Sequence, residues 1–584
     1  MRYQLIQSAQ EKGNSVLEQI LLNRGVAKEN LYDFINSTDK NINEPELLGE
    51  EKLNEAVKMV ARHVKNNDKT IIIVDPDVDG NTSSALLLNY LHELFPSWVE
   101  SIKIFIHSGK QHGLNDCINY IVDKDFKFVL CPDAGSNDTK ECEILKEKGV
   151  DILILDHHDF DKENPYGLII NNQNIYSDYP NKALSGVGVV WQFCRYFDKI
   201  MKIDHADKYL DLVAIGLVAD MMDARSVETK TLIQKGLKYL TNPFIYFMAQ
   251  KNAFKLGSKI TPIGAAFYIV PLLNAVQRSG THEEKELVFN SMLTYRAFEQ
   301  VLSTKRGHKL GEMEQLVDQA VRTASNVKNR QTRIQDSALE ELENKIEREH
   351  LLDHKVLLLL LEDNNIPAEV RGLIANKFMA KYQRPCCLLS KYENMYQGSA
   401  RGCSIAGVFD FKEICLNTNN VDYAVGHPNA FGLQIREDVV PAFIQQTDDV
   451  LKDMSDEAIY YVDYIFKGQD VDGSVILTIA DMDDYWGTEL DEALVAIEGL
   501  KVTASMVDVY RKATNTIKIS LNNGISIMKF NADEELCDKL TTNNTGYMKM
   551  DIIGKCNKNE YNGVASPQIF IEDYNITDSN KYYF

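Results

Sequence analysis

The stretch KTIIIVDPDVDGNTSSALLLNYL, Lys69 to Leu91, decides the class of this protein. Four consecutive apolar residues, Ile71 to Val74, read as a strand buried on both faces of a parallel sheet. Asp75, Asp77 and Asp79 follow at alternate positions. Gly80 lets the backbone turn, Asn81, Thr82 or Ser83 offers a helix cap, and the apolar spacing from Ala85 to Leu91 suits an amphipathic helix. Alternate positions of an extended segment share a face, so at least two carboxylates are expected to converge at the carboxyl end of the strand, where open α/β sheets bind ligands. Two carboxylates about 4 Å apart repel by roughly 4 kcal/mol at an effective dielectric of about 20, so the cluster calls for a counter-charge, most simply a bound dication. The competing readings are an acidic turn and a calcium loop of the D-x-D-x-D-G type. The calcium loop needs a Glu six residues after Gly80 and meets Leu86 instead.

Outward from this stretch, strands alternate with helices. SIKIFIHSG reads as a second strand, with a helix near CINYIV; FKFVLCPDAGSND as a third strand ending at Asp133, Ala134 and Gly135; and DILILDHHDF as a fourth, after the helix ECEILKEKGV. Asp156, His157 and His158 directly follow that last apolar run. Imidazole beside carboxylate is the ligand set of manganese, zinc or iron, not of calcium. DLVAIGLVADMMD adds an apolar segment closing on Asp220. Alone, Asp220 reads as a helix-end or surface residue; with the other acids it becomes a bridging or terminal ligand. Residues 1–65 read as helical, with VLEQILLNRG stopping at Gly25 and EKLNEAVKMVARHVK amphipathic, a cap on the first domain.

The chain has 584 residues, 44% of them hydrophobic, enough for three or four domains. A net charge of −22 argues against holding a polyanion through bulk charge, so nucleic acid must be held locally, by metal and a few Lys or Arg. The N-terminus carries no apolar run of signal-peptide length and no run approaches membrane-spanning length, which predicts a soluble intracellular protein. Ten cysteines are scattered without a C-x-x-C pair; the vicinal Cys386 and Cys387 make neither a zinc site nor a disulfide framework, so reduced buried thiols are expected.

DPDVDG, PDAGSND, DHH and VAIGLVAD together resemble motifs I to IV of the DHH phosphoesterase superfamily, and most of the chain is similar to its RecJ branch of single-strand-specific 5′ to 3′ exonucleases. ILLNRGVAKENLYDFIN resembles the RecJ N-terminal cap, YPNKALSGVGVVWQF the stretch after its DHH triplet, and PLLNAVQRSG its arginine-bearing loop, with Asn274 and Arg278 in matching places. The resemblance implies a parallel-sheet DHH catalytic domain (66–300) behind the helical cap (1–65), and a long connecting helix (301–350). A second α/β, DHH-associated domain (351–450) and an OB-like β-barrel (455–584) follow.

Residues from Ser303 to Glu349 read by themselves as one long solvated helix. In the second α/β segment, GSARG offers backbone N–H groups, a hydroxyl and a guanidinium at one tight loop, suited to phosphate, and GHPNAFG sets His427 between a flexible turn and a helix start. Each alone reads as a loop. The resemblance turns them into strand-binding motifs, with Ser399, Arg401, Gly426 and His427 matching and Ala400 standing where Gly is usual. NNIPAEVRG lacks the family's histidine before the helix, and Leu272 replaces a usual arginine. The last 130 or so residues alternate as short strands of a small barrel, rich in Tyr and acidic, which favours base stacking over charge.

These readings predict hydrolysis of single-stranded DNA from a 5′ end by two divalent cations, manganese or magnesium, in recombination, repair or replication. The expected ligands are Asp77, Asp79, Asp133, His157 and Asp220, with Asp75 a ligand or a catalytic residue behind them. By resemblance His158 contacts the scissile phosphate, and Asp156 orients an imidazole. A monomer in the cytoplasm of a bacterium is expected, its gene bacterial or viral, with single-strand-binding or recombination proteins as partners and no membrane. The alternatives are a DHH phosphodiesterase of short oligonucleotides and a non-catalytic DHH scaffold. The first usually lacks the cap and barrel; the second has lost ligand residues that this chain keeps.

Overall fold

The computed structural model describes every residue except 1, 11, 108, 110, 160–161, 175–176, 364, 455–458, 543–545 and 582–584. The chain forms two compact units. One comprises Leu21–Lys328 with Met482–Glu492; the other comprises Met1–Ile20, Asn329–Asp481 and Ala493–Phe584. The first residues are not helical. Strand β1 (Arg2–Leu5) pairs in parallel, within the second unit, with a strand at Ile459–Val462. The expected helices follow at Val16–Asn23 and Glu50–Asn66.

The first unit is built on a five-stranded, fully parallel sheet. Its strands are β2 (Thr70–Val74), β3 (Lys103–Ile106), β4 (Phe128–Pro132), β5 (Asp151–Asp156) and β6 (Leu168–Asn171), in the order β3-β2-β4-β5-β6. Helices cover both faces, so consecutive residues of a strand enter different cores. Ile71 and Ile73 pack with Val129, Cys131, Ile152 and Ile154, whereas Ile72 and Val74 pack with Leu130, Leu153 and Leu155. This explains why the strands read as unbroken apolar runs. Each such buried side chain contributes roughly 1.5–3 kcal/mol of transfer free energy. The larger core is completed by the helices Val78–Leu94, Gly186–Met201 and Leu210–Ala219.

The long helix begins at Leu316, not near Ser303. A hairpin of β7 (Gln300–Leu302) and β8 (Met313–Gln315) precedes it, turning through Gly307 and Gly311, both at positive φ. Nor is the helix Leu316–Arg348 solvated all round. Val317, Ala320, Ala324 and Val327 enter the core of the first unit, and Ala338, Leu342 and Ile346 that of the second. Spacings of three and four residues make one buried stripe that a count of its charges conceals.

In the second unit, β9 (Leu357–Leu361), β10 (Cys386–Tyr392), β11 (Met395–Arg401), β12 (Val421–His427) and β13 (Ala430–Arg436) form a mixed sheet in the order β12-β13-β11-β10-β9. Cys386 and Cys387 point into opposite cores of this sheet, and all ten cysteines are unpaired. The strand that receives β1 is β14 (Ile459–Val462). The β-rich tail then holds β15 (Tyr464–Lys467), β16 (Leu494–Val502), β17 (Val507–Arg511), β18 (Asn515–Ser520), β19 (Ser526–Ala532), β20 (Gly546–Tyr561) and β21 (Val564–Lys581) in one seven-stranded sheet. No helix among the described residues is long and apolar enough to cross a membrane.

Candidate metal centre

The carboxyl ends of β2, β4 and β5 deliver the acidic residues to one place. Three groups of side chains have ligand atoms within 4.8 Å of one another: Asp75, Asp77 and Asp133; Asp79, His157 and Asp220; and Asp133, His157 and His158. The convergence does not come from strand alternation. β2 ends at Val74, and the helix Val78–Leu94 begins sooner than its apolar spacing predicts. Asp77 caps it, accepting a hydrogen bond from the Gly80 N–H at 2.9 Å, and Asp79 sits in its first turn. A turn and a helix start, not an extended face, aim these carboxylates. Gly80 does not turn the backbone as expected but lies within the helix, and it is glycine because a Cβ there would lie 2.4 Å from Asp75 Cβ.

Asp133 closes β4 at φ 66°, a left-handed conformation that costs a non-glycine residue about 1 kcal/mol or more. Its Oδ1 lies 3.3 Å from His157 Nε2, and that nitrogen is 3.4 Å from Asp220 Oδ2 and 4.0 Å from Asp79 Oδ2. Asp220 reaches the group as the C-cap residue of the helix Leu210–Ala219. Asp156 faces away from it: Oδ1 accepts from the N–H groups of His157 (2.7 Å) and His158 (3.2 Å) and pairs with His158 Nδ1 at 2.8 Å, and Oδ2 accepts from the Ser136 N–H at 3.0 Å.

Burial drives the electrostatics. It raises the Asp79 and Asp133 carboxyls, Asp133 well above the carboxylate range, with neighbouring carboxylates adding to its rise. Burial, then the Asp79 and Asp77 charges, push Asp220 up to about 8. Burial lowers His157, leaving the neutral imidazole that ligates metals. Burial also works to raise Asp156, but its hydrogen bonds and the His158 charge outweigh this and hold it at about 2. The same hydrogen bond lifts His158 to about 9, so this half-exposed ring is a cation at neutral pH.

The residues fit a divalent metal. Asp75 Oδ1, Asp79 Oδ2 and Asp133 Oδ1 are buried with no hydrogen-bond partner, an arrangement that costs free energy unless a cation faces them.

Sequence reading missed the residues that hold these carboxylates. His112 Nδ1 pairs with Asp75 Oδ2 at 2.7 Å, and Ser185 Oγ donates to Asp79 Oδ1 at 3.0 Å. Asn81 Nδ2 donates to the carbonyls of Asp75 and Asp77, and its Oδ1 accepts from Gln277 Nε2 at 3.0 Å. Gly186 leaves room for Asp133, since a Cβ would come 2.2 Å from Oδ1. Gly186 and Asn81 lie beside motifs that stood out, but single small or amide residues carry no signal of their own.

The predicted substrate-binding residues fall in two places. Asn274 and Arg278 share a face of the helix Val270–Ser279, not a loop; it is Gln277 of this helix that touches the metal loop. Ser399 and Arg401 lie two residues apart on β11, where a tight loop was expected. They lie over Gly372, which a Cβ would drive to 2.4 Å from the Arg401 guanidinium. Gly426 and His427 end β12 at a hairpin into β13, with no helix start, and Gly426 takes φ 134°.

A parallel α/β sheet that gathers five aspartates and a DHH triplet at its carboxyl ends defines a DHH phosphoesterase. The chain matches the DHH family, N-terminal domain, over residues 69–217, and the RecJ OB domain over residues 462–573. It is 32% identical over 573 residues to YorK of the SPbeta prophage in Bacillus subtilis (strain 168), named by inference a single-strand DNA-specific exonuclease, covering 97% of this chain and 96% of YorK. It is 25% identical to the single-stranded-DNA-specific exonuclease RecJ of the same organism, covering 99% of this chain and 71% of that one. RecJ of Thermus thermophilus in complex with Mn2+ superposes with a TM-score of 0.66 at 17% identity, covering 90% of this chain and 72% of RecJ. The Mg2+ complex gives 0.62 at 15% identity, covering 99% and 79%. The chain belongs to the RecJ-like branch of the DHH superfamily, and its β-rich tail is a RecJ OB domain.

Proposed function

We propose that this protein is a metal-dependent exonuclease that hydrolyses the phosphodiesters of single-stranded DNA from the 5′ end, in recombination, repair or replication in a bacterial cell. The observation that carries the reading is the set of three buried carboxylate oxygens of Asp75, Asp79 and Asp133, none with a hydrogen-bond partner, within groups that also hold Asp77, Asp220 and His157. Asp79, His157 and Asp220 would hold one divalent cation and Asp75, Asp77 and Asp133 a second, manganese or magnesium, with Asp133 close to both groups. Bound there, the cations supply Lewis acidity at a phosphate oxygen and lower the pKa of the attacking water. The chain's own part is positioning and charge. His158, held by Asp156, presents a cation to the scissile phosphate, where it stabilises negative charge developing in the transition state. His112 fixes one oxygen of Asp75 and leaves the other for metal. Arg401 and Ser399 take the terminal phosphate, with Gly426 and His427 along the strand backbone and Asn274 and Arg278 on the catalytic side. The 5′ to 3′ direction is carried over from the RecJ resemblance, and single-strand preference is supported by the names of the relatives and by the OB domain.

The test is degradation of a 5′-phosphorylated single strand, labelled at either end, by the wild type and Asp133→Ala with manganese, beside a blunt duplex. Mononucleotides released progressively from the 5′ end of the single strand alone, and lost in the variant, are expected. Manganese binding without cleavage would favour a scaffold, and cleavage confined to very short oligonucleotides a small phosphodiesterase.

A further inference from the structure

A chain with a net charge of −22 that works on a polyanion must gather its positive charge somewhere. The longest candidate is residues 229–282, which contain six lysines and one arginine and no Asp or Glu at all. They form the helices Val227–Lys238, Pro243–Lys251, Ala253–Leu256, Pro262–Tyr268 and Val270–Ser279 of the first unit. Three of the lysines are committed. Lys230 is buried, Lys235 pairs with Asp39 and Asp207, and Lys259 with Asp483 and Asp484. Lys238, Lys251 and Lys255 have no carboxylate partner among the described residues.

These cations are interleaved with aromatic rings that the fold leaves in water. Phe254 is 101% exposed, Tyr239 69% and Phe267 67%, and Tyr246 and Tyr268 are partly exposed. Lys238 Nζ lies 5.3 Å from the centroid of Tyr239, and Lys255 Nζ 5.7 Å from that of Tyr268. Tyr239 and Tyr246 also line a cleft of about 800 Å3, together with Lys238, Lys259 and Asp484. Exposed apolar surface of this kind, when contiguous, marks an interaction site. Asp484 lines the cleft as well, but it is paired with Lys259, and exposed rings with unpaired lysines among them combine the two features that hold a single strand: a π-face for any base and a positive charge for the phosphate between bases.

We propose that Tyr239, Tyr246 and Phe254, with Lys238 and Lys255, form a sequence-tolerant docking surface for single-stranded nucleic acid, built from residues other than those of the metal centre. It rests on the nuclease reading only in taking the occupant to be the enzyme's own substrate. The surface is tied to the catalytic centre inside one unit: the helix Pro262–Tyr268 packs on Leu210–Ala219, which ends at Asp220, and leads directly into the helix of Gln277 and Arg278. A strand held here has its backbone fixed at a second point while its end is processed.

The experiment measures binding of fluorescein-labelled dT20 to the full chain in EDTA, where no hydrolysis occurs, over a series of salt concentrations. Tyr239→Ala/Tyr246→Ala is expected to weaken binding about tenfold or more. Lys238→Ala/Lys255→Ala is expected to lower the slope of log affinity against log salt by about 1.4, at about 0.7 per phosphate contact. Photo-cross-linking of an iodouracil-containing strand is expected to label the Tyr239 to Phe254 segment. Unchanged affinity and slope in both variants, at wild-type melting temperature, would overturn the proposal. So would a glutamate-rich peptide that binds the wild type and is lost in both variants while dT20 binding stays intact, an outcome that assigns the surface to a protein. If the wild type still degrades single strands in manganese, these outcomes remove this surface alone; a wild type that neither binds nor degrades them removes the nuclease reading as well.

Discussion

Gly216 stands so close to Asp79 that a Cβ added to it would lie 2.4 Å from the carboxylate oxygen Oδ1. The glycine sits on the helix Leu210–Ala219 and the carboxylate on Val78–Leu94, so the spacing of two packed helices fixes where a metal-facing carboxylate stands. The same Cβ would meet Val187 Cγ1 at 2.5 Å and Thr82 Oγ1 at 2.7 Å, leaving no direction in which to give. Gly216→Ala is expected to destabilise the first unit by about 1–3 kcal/mol and to weaken manganese binding. Isothermal titration with manganese, beside thermal melting, checks both; a variant that binds as the wild type does would show that the contact is slack.

Asp133 carries two costs, a carboxyl that burial and neighbouring carboxylates force to hold its proton, and a left-handed backbone. Asparagine removes the first and tolerates the second. Asp133→Asn should therefore melt at a higher temperature than the wild type in EDTA, yet gain nothing when manganese is added. A lower melting point in EDTA would mean that the carboxylate is needed for folding.

His158 is held by Asp156 and belongs to the metal-facing side only through Asp133 and His157. With His158→Ala, manganese affinity should change by less than tenfold while kcat falls about 10²–10³-fold, the loss typical of a group that stabilises developing charge. Loss of metal binding in step with kcat would make His158 a ligand instead.

Arg401 lies over Gly372 in the second unit, with Ser399 on the same face of β11. Arg401→Ala is expected to raise KM for a 5′-phosphorylated strand by about tenfold with a smaller effect on kcat, since a charge-assisted hydrogen bond contributes about 1.5–3 kcal/mol. An equal KM for phosphorylated and unphosphorylated strands in the wild type would remove the phosphate from this role.

Lys230 is buried against Phe34 and Tyr485, its ammonium 4.5 and 4.6 Å from the two rings, and donates to the Phe34 carbonyl and, at 3.3 Å, to Ser37 Oγ. Burial lowers it to about 8, below its unfolded value of about 10.4. Between those values the unfolded chain binds the extra proton, so the cost of this buried charge is full below pH 8 and is relieved as pH rises toward 10.4. The upper bound is roughly 3 kcal/mol. Measured by melting from pH 7 to 10, the wild type should gain stability relative to Lys230→Met as pH rises. Parallel curves would mean that the rings and the carbonyl hold the lysine charged throughout.

Much of the first unit was legible in the sequence because its pattern is local. A parallel strand buried on both faces must be apolar throughout, so Ile71–Val74, Phe128–Pro132 and Asp151–Asp156 announce themselves, and the acids after them fall at the carboxyl ends by chain order alone. Reading went wrong where tertiary contacts override pattern. The face shared by Asp75, Asp77 and Asp79 was assigned to an extended strand, whereas a cap by Asp77 starts the helix early. GSARG looked like a loop because its small residues suit one, yet Gly398 is demanded by the Leu388 carbonyl, 2.1 Å from where a Cβ would stand, inside a paired strand.

The sequence by itself determined the strand, acid and helix order, the clustering of Asp and His types at the strand ends and the family, since these follow from periodicity and residue chemistry along the chain. Only the tertiary structure decided which carboxylate oxygens are left without a hydrogen-bond partner, and that His112, Ser185 and Asn81 hold the acidic loop and its carboxylates in place. It also decided that Gly186 and Gly216 make room for Asp133 and Asp79. Those properties depend on distances of a few ångströms between residues up to about two hundred positions apart, and no local pattern encodes the close approach of one packed element to another.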